Sequence, residues 1–119
     1  MTLRDFLGEG LVRIHPEESV TVAARLLAAE DLGCLPVCGE DGRLRGLVTD
    51  RDLVVRCLAA GKVPSATKVE EVMTVGLITG EPDMEAAGAA ALMAGHGIRR
   101  LPVLENGRLR GIVSLERLK

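Results

Sequence analysis

The chain has 119 residues, of which 47% are hydrophobic and 27% charged. It is therefore long enough for one domain or for two small units that share a core, and too apolar to be disordered. Fifteen basic and seventeen acidic side chains give a net charge of −2, which disfavours a surface that binds polyphosphates. One Phe and no Tyr or Trp predict an aliphatic core and exclude aromatic platforms for single-stranded nucleic acid and aromatic cages for quaternary cations.

The sequence does not have the pattern of an export or membrane segment. Residues 1–7 lack the basic start and apolar run of a secretory signal. The charge-free stretch 86–98 is too short and too rich in Gly and Ala to span a bilayer. We therefore expect a cytoplasmic protein.

The sequence repeats itself with an offset of 66 residues, so that Leu-Pro-Val occurs at 35–37 and again at 101–103. After one deletion the offset is 65, and Gly-Arg-Leu-Arg-Gly occurs at 42–46 and 107–111. The self-similarity predicts repeat one over residues 3–61, a linker over 62–68 and repeat two over 69–119. One such unit buries too little surface to be stable alone, so we expect the two to pack through their sheets about a pseudo-twofold axis.

Each repeat is predicted to run strand, helix, strand, strand, helix. Short apolar strands are expected at 11–14 and 76–79, each followed by a turn that contains proline. The next helix is predicted to be capped by Ser19 in repeat one and by Asp83 in repeat two, because apolar residues recur at helical spacing after each. The helix of repeat two is expected to extend to Met93.

A hairpin is predicted to follow in each repeat, over 35–48 and 101–113. The Asn-Gly pair between the apolar runs of the second hairpin strongly favours a tight turn. A last helix is expected from Asp50 to Ala60, with Thr49 before it and Gly61 at its end. Its counterpart in repeat two is cut short at Lys119, and we expect a dimer interface at the surface that it would cover.

Cysteine, histidine and acidic residues show no catalytic or metal-binding pattern. Cys34 and Cys38, four apart on a predicted strand, have Cα atoms about 13 Å apart, too far for a disulfide, and are expected to be small buried apolar residues. His15 and His96 have no ligand at metal-site spacing and are expected at the surface. Phosphate-binding glycine loops are absent too. We therefore expect no enzyme.

The repeat, the two Leu-Pro-Val strands and one further motif together resemble the cystathionine β-synthase (CBS) domain family in its tandem form, the Bateman module. The motif is Gly-Leu-Val-Thr-Asp-Arg-Asp at 46–52, similar to the family pattern of Gly, two hydrophobic residues, Thr or Ser, two residues and Asp. The resemblance spans residues 3–118 and is greatest to stand-alone bacterial pairs. It implies an α+β (α/β) fold of two CBS repeats.

The resemblance also implies a regulatory module that binds AMP, ADP, ATP or S-adenosylmethionine and requires no cofactor. Thr49, at a helix N-terminus, would hold a phosphate, and the Asp52 carboxylate would accept hydrogen bonds from the ribose hydroxyls. The same Thr-x-x-Asp spacing also fits a capping box that needs no ligand. Arg51 lies beside this site, where it either contacts the ligand or pairs with Asp50 or with the glutamates at 70–71.

The remaining ligand contacts implied by the resemblance come from apolar strand residues and from an arginine pair. Adenine would lie between aliphatic side chains, namely those of Val12, Ile14, Leu35 and Val37. Arg99 and Arg100 stand where some family members carry basic residues that reach the ligand phosphates. The alternative for both arginines is a solvated pair at the surface.

Repeat two departs from the family pattern, because it keeps Ser114 but carries Arg117 where the ribose-binding Asp belongs. A guanidinium has no hydrogen-bond acceptor and cannot take the ribose hydroxyl protons. We therefore expect at most one nucleoside site in the chain, in repeat one.

Two other functions are weighed against nucleotide sensing. One is a ligand-free protein-interaction module or structural CBS dimer. The other is nucleic-acid binding through hairpin arginines, namely Arg43, Arg45, Arg108 and Arg110, which is disfavoured by the negative charge and by their alternation with apolar residues, as on a solvent-facing strand. The expected partners are an adenosine-containing small molecule, a second copy of the chain and an unidentified protein, with no nucleic acid and no membrane.

Overall fold

The structure is a computed structural model that describes residues 1–8, 10–30 and 33–119. The chain forms two compact units. The central unit is Val12–Leu77, and the terminal unit combines Met1–Leu11 with Ile78–Lys119. Each unit contains helices and a two-stranded antiparallel sheet, so the α+β prediction is confirmed.

The central unit begins with helix α1 (Val20–Glu30), at whose start the Ser19 hydroxyl accepts a hydrogen bond from the Val22 N–H at 3.2 Å, as predicted. Strand β1 (Cys34–Cys38) pairs with β2 (Leu44–Thr49). These bounds confirm the predicted hairpin.

The helix after β2 differs from its predicted form. Helix α2 is the single turn Asp50–Asp52, and a π-helix continues it over Leu53–Leu58. The prediction of one regular helix to Ala60 was therefore wrong, although Gly61 does take the left-handed conformation of a helix end, with φ of +75°. The wider turns bury Leu53 and Cys57 and leave apolar side chains at the surface, namely Val54, Val55 and Leu58.

The terminal unit contains helix α3 (Ala86–His96), hairpin strands β3 (Arg100–Glu105) and β4 (Arg108–Ser114), and the short helix α4 (Leu115–Leu118). The hairpin turn is the predicted Asn-Gly pair, and both of its residues have positive φ, 54° and 79°.

The predicted start of α3 at Asp83 was wrong. The helix is preceded by Glu85, the residue that the 66-residue offset aligns with Ser19. Asp83 instead accepts a hydrogen bond from Arg4 at 3.2 Å, and the Ala86 N–H donates to the Met1 carbonyl at 2.9 Å. A contact from far along the chain thus replaces the local cap.

The strands predicted at 11–14 and 76–79 were also wrong. The first segment has one isolated parallel bridge, Ile14 with Val37, and the second has none, although Gly80 directly after it bridges to Val103. Gly76 has a φ of +71°, a left-handed conformation that interrupts extended backbone. A single paired residue does not make a strand.

The segment that leads each sequence repeat packs in the unit built from the rest of the other repeat. The 3-10 helix Leu3–Phe6 belongs to the terminal unit, and Val69–Glu71, 66 residues later, to the central unit. The Leu3 N–H donates to the Met84 carbonyl at 2.9 Å, and the Val69 N–H donates to the Glu18 carbonyl at 2.8 Å. The spatial units are therefore offset from the predicted repeats.

Each unit has its own aliphatic core, as the composition predicts. Leu35, Val37 and Val48 are fully buried in the central unit, and Leu101 and Val103 are fully buried in the terminal unit. The three cysteines are buried as well. Within the described ranges, no helix has the length and apolar character needed to cross a bilayer.

Candidate ligand-binding site

Thr49 and Asp52 form a reciprocal pair at the start of α2. Thr49 is the last residue of β2 and keeps extended backbone, with φ of −122° and ψ of 167°. Its N–H donates to Asp52 Oδ2 at 3.0 Å, and the Asp52 N–H donates to Thr49 Oγ1 at 3.2 Å. This is the capping box that the spacing allows, and it is complete without a ligand.

Asp52 has further partners that the sequence analysis did not identify. The Thr74 hydroxyl lies 3.1 Å from Asp52 Oδ1 and 3.2 Å from Oδ2, so it donates to the carboxylate. Arg56 Nε lies 3.8 Å from Oδ1. Asp52 as a whole is only 6% exposed. A buried carboxylate of this kind needs such partners, because an isolated charge is costly to remove from water.

The 72–74 segment is held against the site by backbone contacts as well. Leu47 and Thr74 exchange N–H···O bonds of 3.0 and 2.7 Å. Arg56 Nη1 donates to the carbonyl of Met73 at 2.9 Å and to that of Val72 at 3.5 Å. With the Thr74 hydroxyl bond to Asp52, these make three sets of hydrogen bonds that connect this segment to β2 and the helix that follows it.

The need for glycine at position 46, the first residue of the motif, is explained by the closeness of the 72–74 segment. A Cβ atom at Gly46 would lie 2.7 Å from the Thr74 carbonyl oxygen and 2.9 Å from Met73 Sδ. Real Cβ atoms do not approach backbone so closely, so only glycine fits where the 72–74 segment crosses β2.

Arg56 and Thr74 differ in how well the sequence indicates them. Arg56 lies four residues after Asp52, a helical spacing that brings an acid and a base together. Thr74 lies 22 residues away along the chain, and its counterpart under the 66-residue offset is Gly8. The repeat therefore offers no signal for the Thr74 hydroxyl.

Arg51 is exposed next to Asp52 and, among the described residues, forms no ion pair. The alternative pairing with Asp50 or the glutamates at 70–71 is thus not seen. Glu71 instead accepts from the Lys68 N–H at 2.7 Å and pairs with Lys62 at 3.6 Å. The Lys68 N–H is the main cause that holds the pKa of Glu71 below its ordinary value.

The four apolar residues predicted to surround adenine all belong to the core of the central unit. Leu35 and Val37 are fully buried and Ile14 nearly so, and Val12 is partly buried against them. In the present conformation the side chains of Leu35 and Val37 therefore offer no surface to a ligand.

Arg99 and Arg100 lie in the terminal unit, at the start of β3. Arg99 forms an ion pair with Glu116, and its carbonyl accepts from the Leu115 N–H at 3.0 Å. Arg100 is exposed and donates to the Arg99 carbonyl at 3.4 Å. Their predicted contact with a phosphate near Thr49, in the other unit, stays a prediction.

Ser114 and Arg117 occupy the equivalent position in the terminal unit. The Ser114 hydroxyl accepts from the Arg117 N–H at 3.4 Å. The Arg117 guanidinium lies 5.9 Å from the centre of the Phe6 ring and donates to the Phe6 carbonyl at 3.4 Å. It supplies only donors at the position where Asp52 supplies acceptors.

Metal-binding geometry is not found in the part of the chain that the structure describes. No group of three or more His, Cys, Asp and Glu side chains among those residues is placed to hold a metal ion.

Comparison with known proteins identifies the class of the chain. The CBS domain family matches residues 3–58 and again residues 69–119. The chain therefore belongs to the CBS domain family and carries two CBS domains in tandem, which confirms the resemblance seen in the sequence.

Individual relatives match over nearly the whole chain. The CBS domain-containing protein YhcV of Bacillus subtilis is 38% identical over 114 residues, which are 96% of this chain and 80% of that protein. The crystal structure of Hypoxic Response Protein I with two coordinated zinc ions is similar, at 35% identity and a TM-score of 0.87, over 99% of this chain and 95% of that one. Hypoxic response protein 1 is a protein of Mycobacterium tuberculosis.

A third comparison concerns a protein with ligands bound. The CBS domain pair of protein MJ0100, crystallised with 5′-methylthioadenosine and S-adenosylmethionine, is 30% identical with a TM-score of 0.84. The match covers 98% of this chain and 90% of that one.

Proposed function

We propose that this CBS domain pair is a non-catalytic regulatory module that binds an adenosine-containing ligand at Thr49 and Asp52. The observation that carries the proposal is the Asp52 carboxylate, buried at the start of a helix within reach of hydroxyl and N–H donors. A carboxylate in this position accepts hydrogen bonds from a vicinal diol, such as that of ribose.

The ligands of the MJ0100 domain pair support the choice of an adenosine ligand. Both of them contain adenine and a ribose diol, and neither carries a phosphate. Adenine and the diol are therefore the groups that these ligands share with AMP, ADP and ATP, and Asp52 is the side chain of this site that suits the diol.

Phosphate recognition would separate the nucleotides from S-adenosylmethionine. The Thr49 hydroxyl accepts from the Asp52 N–H, which leaves its own hydrogen for an anion. Arg51 is exposed in the same turn of helix and is the basic candidate of this unit. A nucleotide would use these groups for its phosphate, whereas a ligand without phosphate would rely on Asp52 for its ribose and on contacts with its base.

A ligand-free protein-interaction module is the second candidate, and two observations favour it. The Thr49–Asp52 capping box is complete without a ligand. The π-helix also exposes an apolar surface that consists of Val54, Val55 and Leu58, exposed by 55%, 46% and 58%. A second copy of the chain or a partner protein would cover such a surface.

The deciding experiment is thermal unfolding with AMP, ADP, ATP and S-adenosylmethionine, with GTP as the control for base recognition. A ligand that binds only the folded protein stabilises it by about 2.7 kcal/mol at a hundredfold excess over its Kd. Asp52→Asn keeps the shape of the side chain but loses the charge, and we expect it to abolish the shift.

Asp50→Asn is the matched control, because Asp50 is an exposed aspartate in the same turn of helix. We expect it to leave the ligand-induced shift intact. If no adenosine compound raises the midpoint at millimolar concentration, the adenosine proposal fails and the protein-interaction module takes its place.

A further inference from the structure

We propose that the Thr74 hydroxyl occupies the position of a ligand hydroxyl on Asp52, so that a diol-bearing ligand must displace it. The inference rests on the proposed function, because it concerns the regulation of the same site. Thr74 Oγ1 lies 3.1 and 3.2 Å from the two carboxylate oxygens. A hydroxyl that is nearly equidistant from both oxygens reproduces the contact that one hydroxyl of a diol would make.

The acceptor capacity of Asp52 makes the two contacts compete. A carboxylate accepts about four hydrogen bonds, roughly two at each oxygen. The Thr49 N–H takes one position on Oδ2, and Thr74 Oγ1 lies within hydrogen-bond distance of both oxygens, so it stands between them. The carboxylate is otherwise buried. A diol that bridges the two oxygens therefore needs the space that the Thr74 hydroxyl occupies.

Displacement of Thr74 would change how the 72–74 segment is held. The hydroxyl bond is one of three sets of hydrogen bonds that connect this segment to β2 and the following helix, the others being the backbone pair with Leu47 and the Arg56 bonds to two carbonyls. These two remain when the hydroxyl leaves. The segment would therefore be loosened without being detached, and it continues through Leu77 directly into the chain of the terminal unit.

The test measures binding of adenosine, the group common to all the proposed ligands, and of 2′,3′-dideoxyadenosine, which lacks the diol. Titrations of the ¹⁵N-labelled full chain followed by NMR give both affinities and report on the amides of residues 72–77. We expect Thr74→Ala to bind adenosine about tenfold more tightly than the natural chain, the effect of one hydrogen bond to a charged group. Its affinity for the dideoxy compound is expected to stay unchanged.

Two further variants distinguish competition from a general structural effect. Thr74→Ser keeps the hydroxyl and is expected to bind adenosine like the natural chain. Thr67→Ala is the matched control, because Thr67 is a buried threonine of the same unit whose hydroxyl donates to the Val63 carbonyl at 2.7 Å. We expect it to lower the Tm without changing the ratio of the two affinities.

The outcomes separate this inference from the proposed function. Adenosine binding that Thr74→Ala weakens or leaves unchanged, while Asp52→Asn abolishes it, overturns the competition and leaves the ligand site standing. Equal gains for adenosine and the dideoxy compound also overturn it, because the gain then does not depend on the diol. Absence of adenosine binding in every variant, or binding that survives Asp52→Asn, overturns both proposals.

Discussion

The two units place residues of opposite charge at the same position, and each residue contacts the first segment of the other repeat. In the central unit, the residue at the third position of the helix after the hairpin is Asp52. It accepts a hydrogen bond from Thr74, which lies in the segment that leads repeat two. In the terminal unit the equivalent residue is Arg117, which donates to the Phe6 carbonyl and lies over the Phe6 ring. Each unit thus connects this position to the segment that leads the other repeat.

Arg117 also takes over a contact that a second arginine makes in the central unit. Under the 66-residue offset, Phe6 corresponds to Val72, whose carbonyl accepts from Arg56. The terminal unit therefore keeps the arginine contact with this carbonyl and has no carboxylate at the Asp52 position. The comparison teaches that holding the leading segment is a requirement of the fold, whereas the capacity to accept a diol is particular to the central unit.

The largest expected change in stability comes from glycine-to-alanine substitutions where the leading segment of a repeat lies against a hairpin. Gly46→Ala places a Cβ against the Thr74 backbone, and we expect a loss of about 3 kcal/mol of unfolding free energy from overpacking. In Gly111→Ala the nearest atom is Leu7 Cδ2 at 2.8 Å, the end of a flexible side chain, and we expect a loss of at most about 1 kcal/mol. Urea unfolding measures both. Equal losses would show that the two units do not differ in this approach.

The next largest change in stability is expected from removing the two arginines that donate hydrogen bonds to the leading segments. Arg56→Ala removes two hydrogen bonds to carbonyls and the ion pair with Asp52. We expect a loss of about 2 kcal/mol of unfolding free energy, because hydrogen bonds from charged groups are stronger than those between neutral groups. Arg117→Ala removes one carbonyl contact and a cation–π contact at an exposed site, for a loss of about 1 kcal/mol.

Arg25→Ala provides the control for the arginine comparison. Arg25 lies exposed on α1 and forms no ion pair with any residue that the structure describes, so we expect it to change the urea midpoint little. A loss for Arg117→Ala as large as that for Arg56→Ala would contradict the ranking.

The smallest expected effect is a pH dependence at the hairpin turns. Hydrogen bonds from Arg4, and next from Arg110, hold the pKa of Glu105 below its ordinary value of 4.5. A lowered pKa in the folded state means that the contribution to stability is complete above pH 4.5 and is lost as the pH falls through the folded-state pKa. In the central unit the pKa of Asp41 is lowered chiefly by the Arg43 N–H instead.

The contributions of these two turns are compared by measuring the thermal midpoints of the natural chain and of two variants between pH 7 and pH 3. We expect Glu105→Gln to flatten the acid side of the stability curve more than Asp41→Asn, because Glu105 contacts two arginines from different parts of the terminal unit. Asp41 is exposed and Glu105 is partly exposed, so the effect should be small and should decrease with added salt. A natural chain and a Glu105→Gln chain with parallel pH curves would rule out this contribution.

Local patterns predicted the parts of the fold whose causes are local. The hairpin turn at Asn106 and Gly107 follows from the conformations that these residues adopt readily. The Thr49–Asp52 pair follows from a spacing of three residues at a helix start. The start of α3 could not be predicted in this way, because Arg4, 79 residues from Asp83, takes the carboxylate that would have capped the helix.

The candidate site shows the same division. The sequence contains the acceptor, Asp52, and indicates Arg56 by its helical spacing. It contains no sign that Thr74 donates to that acceptor, because residues so far apart meet only when the chain has folded. The burial of Leu35 and Val37 is likewise a consequence of packing, although the sequence alone makes both of them apolar.

The sequence by itself determined the two repeats, their hairpins, an aliphatic core and the exchange of aspartate for arginine between the repeats, because each depends on residue type, on short-range spacing or on the 66-residue self-similarity. Only the tertiary structure decided which leading segment packs in which unit, and hence which side chains surround Asp52 and Arg117. The physical reason is that buried polar groups need hydrogen-bond partners. These partners come from segments far apart in the chain, which local sequence patterns do not predict.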